Sequence, residues 1–111
     1  MRLLKAAFPL LMTMVVAVPT FAQKGDAKLG KAAYTKNCST CHGAEGEGKP
    51  AIAKLMKVDM RHLGSKEVQS LSDAEVSKII TEGKGKMKPP KDMKEADVAN
   101  VVAYFRTLTH K

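Results

Sequence analysis

From residue 26 onward the apolar positions recur at helical spacing, and no stretch shows the apolar–polar alternation of a half-buried strand. Asp26 is placed to cap a first helix that carries Leu29, Ala33 and Tyr34 on one face and ends near Asn37. The segment 43–50 holds three Gly and a Pro and reads as a loop, followed by a short helical piece over 51–57. Ser72 and Glu75 form a capping box, with Leu71 and Val76 as its hydrophobic staple. The helix that they start shows Val76, Ile79 and Ile80 on one side and stops at Gly83, a favourable residue just past a helix end. A second loop over 83–94 contains two Gly, two Pro and five Lys. The last helix is expected over 95–108, with Val98, Val101, Val102 and Phe105 at the i, i+3, i+4, i+7 spacing of a buried face. The expected class is all-α: three to four helices around two long loops.

The N-terminus has a different pattern. Arg2 and Lys5 precede a nearly unbroken apolar run from Ala6 to Val18, and Thr20 and Ala22 put small residues at −3 and −1 of a cleavage point. This is the layout of a secretory signal peptide over 1–22, cleaved after Ala22, and the run is short for a membrane span. Taking 22 residues from 111 leaves 89, one domain over 23–111, and the loss of Arg2 and Lys5 lowers the net charge from +8 to +6. Export places the mature chain in the periplasm.

What remains is poor in bulky apolar groups, since Tyr34, Tyr104 and Phe105 are its only aromatic residues. A chain this small buries only roughly 60–65% of its unfolded surface, and domains of this size usually need a staple. Cys38 and Cys41 are too close in sequence for a disulfide to supply it, because the loop closed is tiny. A large apolar cofactor would fill the deficit.

Cys38-Ser39-Thr40-Cys41-His42 is the C-x-x-C-H signature of c-type haem attachment. Two thiols at this spacing reach the two vinyl groups of one porphyrin and become thioethers, and the next residue, His42, is held beneath the iron as an axial ligand. A thioredoxin-like dithiol would need a βαβ pattern around the cysteines, and the helical pattern offers none. A zinc site would need a further pair of ligands and would ask neighbouring Cys41 and His42 to point at one ion.

The sequence resembles the small bacterial monohaem class I cytochromes c over about residues 26–108. Gly30 and Tyr34 look like the family's first helix, Cys38 to Gly43 its attachment segment, Gly85 to Pro89 its methionine loop, and Val101 to Phe105 its C-terminal helix. The resemblance implies a cytochrome c-like bundle around one covalently bound haem c per chain, with N- and C-terminal helices crossing where Gly30 permits close approach. It also implies a distal methionine. Met87, 45 residues after His42 and two before Pro89, is the first choice, although Lys88 intervenes where the family often has Met-Pro. Met60 is the second choice. Met56 reads as a core side chain, Met93 as a packing or surface residue, His62 as a solvated loop histidine and His110 as part of a frayed tail. Pro50 falls where the family often has a Pro whose carbonyl accepts a hydrogen bond from the proximal imidazole.

With both axial positions filled by protein, the iron has no open site for substrate, and the function implied is outer-sphere electron transfer rather than catalysis. The alternatives are a haem subunit of a larger oxidoreductase complex, or a haem enzyme or sensor with a labile methionine. Lys84, Lys86, Lys88, Lys91 and Lys94 flank Met87, while Lys31, Lys36 and Lys49 flank the attachment segment. They read either as a solvated surface or as a basic rim that steers redox partners with acidic docking surfaces. Nucleic acid is not expected, because no aromatic residues interleave a basic stripe. A membrane is expected to be met only peripherally, and the chain is expected to be a monomer.

Overall fold

A computed structural model describes residues 24–110 together with Pro9 and residues 11–15 of the leader. The expected cleavage point, most of the leader and Lys111 lie outside the described residues. Among the described residues six helical segments follow one another: α1 (Ala27–Asn37), α2 (Ser39–His42), α3 (Pro50–Met56), α4 (Lys66–Gln69), α5 (Asp73–Glu82) and α6 (Glu95–Phe105). Among the described residues the only β-type pairing is an isolated bridge between Lys84 and Met87. The all-α expectation holds. The count of three to four does not, because α2 and α4 are four-residue turns, too short to leave a periodic trace in the sequence. No described helix is long and apolar enough to cross a membrane.

The caps explain most of the boundaries. The Asp26 carboxylate accepts from the Lys28 and Leu29 amides at 2.8 and 3.3 Å, which answers two of the orphan donors at the start of α1. The expected capping box opens α5, with Glu75 N–H donating to Ser72 Oγ and Ser72 N–H to Glu75 Oε2. Pro50 occupies the first turn of α3, where its missing N–H costs nothing. Helix α6 ends at Phe105 rather than at Leu108. There the amides of Thr107 and Leu108 turn to carbonyls three residues back, those of Tyr104 and Phe105, and the chain tightens out of the helix.

The centre of the fold is the crossing of α1 over α6. Gly30 is buried, and a Cβ placed on it would lie 1.8 Å from the Asn100 carbonyl oxygen, so the two backbones approach at a point where only glycine fits. Close approach moves the contact stripe of α1 to Gly30, Ala33 and Tyr34. Leu29, expected on that stripe, is instead 60% exposed. Asn100 also accepts from the Asp26 amide at 2.8 Å, which pins the start of α1 to the middle of α6. Tyr34 and Tyr104 meet at the crossing with ring centroids 5.1 Å apart and planes tilted by 55°, an arrangement favoured by the ring quadrupoles.

The four expected positions of α6 are all buried, and with Val76, Ile80 and Leu108 they form the apolar core. Arg106 binds the α4–α5 turn to this core. Its Nε donates to Asp73 at 2.8 Å and its two NH groups donate to the Gln69 and Leu71 carbonyls at 2.8 and 2.5 Å. Ile79, grouped with Val76 and Ile80 in the sequence, lines a large cavity beside the core instead.

Candidate haem site

The attachment segment is itself a helical turn. Cys38 closes α1 by donating its amide to the Tyr34 carbonyl at 2.7 Å, and its own carbonyl accepts from Cys41 and His42. Thus Cys38 begins α2 while Cys41 and His42 end it, a turn that the motif spacing alone did not reveal. Gly43 follows at φ +82°, in the left-handed region that glycine adopts without strain, and redirects the chain. Two phenols hold this corner in place: Tyr34 Oη donates to the Gly43 carbonyl at 2.6 Å and Tyr104 Oη to the Ala44 carbonyl at 3.1 Å. The helix crossing and the segment after His42 are therefore one rigid unit. Burial is the main reason the Tyr34 phenol is held well above its usual pKa, and the hydroxyl remains a donor.

Cys38, Cys41 and His42 open onto a cavity of about 750 Å³, within the range of cofactor sites. Met87, Met60, Met56 and Ile79 line it as well. Both cysteines are free and half-buried. Burial, with the neighbouring Cys41, pushes the Cys38 thiol up to about 11. Burial likewise lowers the His42 imidazole from its ordinary value, which keeps it neutral and able to offer a lone pair to a metal. His42 Nδ1 is buried without a hydrogen-bond partner, an arrangement that costs free energy in a finished protein interior. Pro50, the expected acceptor, heads α3, and its carbonyl is not bonded to Nδ1 in this structure. An apolar cavity, two free thiols at its wall and a neutral, under-satisfied imidazole fit a covalently held haem.

The methionines separate by position. Met87 closes a tight turn, Lys84 to Met87, in which Lys84 N–H donates to the Met87 carbonyl at 3.0 Å and Met87 N–H to the Lys84 carbonyl at 2.9 Å. Gly85 makes the turn at φ +57°. Gly83, at φ +78°, lets this hairpin fold back, because a Cβ there would lie 2.6 Å from the Met87 carbonyl oxygen. Met60 also faces the cavity, but its backbone rests on Gly48, whose amide donates to the His42 carbonyl at 2.7 Å. Met93 packs against the apolar core and does not line the cavity.

His62 and His110 lie elsewhere. Their rings meet edge to face at 4.7 Å on a separate surface cavity that also includes Glu45 and Tyr104. His62 Nδ1 accepts from the Gly64 amide, so this histidine is engaged rather than simply solvated. His110 packs against it, with the 109–110 backbone on Gly64, a contact that the expectation of a frayed tail did not include. Nothing in the spacing of the two residues signalled that they would meet.

A family model for cytochrome c matches residues 27–109. The chain belongs to the cytochrome c family. It is 29% identical over 90 residues to cytochrome c-554(547) of Halothiobacillus neapolitanus, covering 76% of this chain and 98% of that one. Its fold is similar to that of the c-type cytochrome KustC0563, with a TM-score of 0.63 at 26% identity over 73% of this chain and 98% of that one. Cytochrome cL of Methylophaga aminisulfidivorans is similar in fold alone, with a TM-score of 0.58 at 22% identity over 75% of this chain and 53% of that one. The chain is thus a small c-type cytochrome, a haem electron carrier whose cofactor is haem c, and Cys38 and Cys41 stand in the family's C-x-x-C-H motif.

Proposed function

We propose that this cytochrome is a periplasmic one-electron carrier, with its haem c tethered through Cys38 and Cys41 and its iron held between His42 and Met87. The observation that carries the reading is that two separate segments, the attachment turn with its two thiols and neutral imidazole and the hairpin after α5 with its thioether, share one cavity. Met87 is favoured over Met60 as the ligand opposite His42. Met60 stands on backbone packed beside the His42 segment, whereas Met87 comes from the hairpin after α5.

When bound, haem supplies a one-electron Fe(III)/Fe(II) couple, and His/Met ligation raises its potential relative to bis-His. The protein brings an imidazole and a thioether to one cavity and keeps most of its wall apolar, so little has to reorganise when charge arrives. Haem held between His42 and Met87 would leave its iron no open coordination position, which favours a carrier over an enzyme. Lys84, Lys86, Lys88 and Arg61 line the same cavity and give its wall a positive potential suited to a partner with an acidic docking surface. Lys31, Lys36, Lys49, Lys91 and Lys94 are exposed but do not line it. Residues 1–22 are read as a leader cleaved after Ala22, and the mass of the mature protein, starting at Gln23 and carrying one haem, checks this.

The test of ligation is Met87→Ala. Haem should remain attached, the far-red absorption band of iron–sulfur coordination in the oxidised protein should vanish, and the potential should fall. Met60→Ala should keep the band. If the band survives Met87→Ala and vanishes in Met60→Ala, Met60 is the ligand and the reading fails.

A further inference from the structure

The Met87 hairpin is stiff within itself and weakly joined to everything else. Its two backbone hydrogen bonds connect Lys84 only with Met87. Among the described residues, one hydrogen bond links residues 84–93 to another part of the fold: the Lys86 ammonium donates to the Met56 carbonyl, 30 residues earlier in the chain. Met56 is the last residue of α3. The carbonyls just before it, those of Ala53 and Lys54, are taken by the Lys57 amide, which turns back in a left-handed C-cap at φ 54°. The Met56 carbonyl is thus left as an orphan acceptor at a helix C-terminus, where a cation is also favoured by the aligned peptide dipoles.

Met56 and Lys86 both line the large cavity, so their hydrogen bond runs between two of its walls. Lys86 is also the residue next to Met87, and any slack in its tether is passed directly to the methionine. A hydrogen bond from a charged donor is among the stronger side-chain bonds, and one with no parallel tie has a larger effect on loop opening than on global stability.

We infer that Lys86 is a positioning residue, a latch that holds the Met87 hairpin against α3 and so sets how readily an outside ligand reaches the distal side of the cavity. The inference rests on Met87 as the distal ligand. It assigns Lys86 a role distinct from partner docking, which any lysine of the rim could share.

Imidazole binding to the oxidised holoprotein measures the opening. Lys86→Gln should raise imidazole affinity about tenfold, equivalent to ~1.4 kcal/mol. Lys86→Arg keeps a cationic donor and should stay within about threefold of the unmodified protein. Lys91→Gln removes the same charge from the same loop without touching this bond, and imidazole affinity should be unchanged. Equal effects of Lys86→Gln and Lys91→Gln would reduce the latch to general electrostatics and overturn it. Met87→Ala separates the two readings. If Met87→Ala binds imidazole readily and Lys86→Gln does not, the latch is wrong. If Met87→Ala binds no better than the unmodified protein, Met87 is not the ligand and the inference falls with it.

Discussion

A methyl group on Gly30 would lie 1.8 Å from the Asn100 carbonyl oxygen. Alanine is the better helix former by about 1 kcal/mol, so an isolated helix would gain from Gly30→Ala. Here the clash is with backbone, which cannot rotate away, and overpacking typically costs about 1–3 kcal/mol. The clash should win. Gly30→Ala is expected to lower the thermal midpoint of the holoprotein, followed by the helical circular dichroism signal, and a raised midpoint would mean that the crossing is looser than it looks. The same residue shows where pattern reading runs out. Helical periodicity put Leu29 on the buried face, because periodicity registers apolar size and a glycine contributes none. The crossing depends on the absence of a side chain, and it was legible only through the family resemblance. Cys38, Cys41 and His42, by contrast, were readable directly, because the reach between two vinyl groups fixes their spacing.

Capping is a matter of whole elements, and here the ends of the helices are unequal. Helices α1 and α5 begin at Asp26 and Ser72, side chains that accept from orphan amides. Helix α6 begins at Lys94, which has no acceptor, although Asp97 Oδ2 accepts from the Lys94 amide at 3.0 Å. The Lys94 backbone already has the extended conformation of a cap, φ −80° and ψ 162°. Lys94→Ser should therefore stabilise the protein by about 1 kcal/mol. In a domain of this size that is an increase of roughly 4–8 °C in the thermal midpoint. An unchanged midpoint would show that water already serves those amides adequately. The long elements were legible within a few residues, α1 and α5 as a cap plus a period and α6 as a period alone. The single turns α2 and α4 were not, since four residues complete barely one turn and carry no repeat.

For the molecule as a whole, the fold is a crossing of α1 and α6 with a modest apolar core on one side and a cavity of about 750 Å³ beside it. A core of this size is marginal for a domain that must also keep such a cavity open. Cys38→Ala combined with Cys41→Ala should abolish covalent haem and most of the helical circular dichroism, and a spectrum matching the holoprotein would show that the polypeptide is self-sufficient. Charge acts at the same scale. Lys88→Glu, at the cavity, should slow oxidation by the anion ferricyanide more than Lys28→Glu at the start of α1. The gap should close as the Debye length falls from ~10 Å at 0.1 M salt to ~3 Å at 1 M, and equal effects at both sites would return the lysines to a general solvated surface. The sequence by itself determined the class, the long helices, the buried face of α6 and the attachment motif, because each is set by neighbours within a few residues or by a fixed chemical spacing. Only the tertiary structure decided which methionines share a cavity with His42, that Met93 belongs to the core, that His62 meets His110, and that Lys86 reaches the end of α3. Those are contacts between segments distant in the chain, governed by how the loops return after the two helices have crossed, and no local pattern encodes that return.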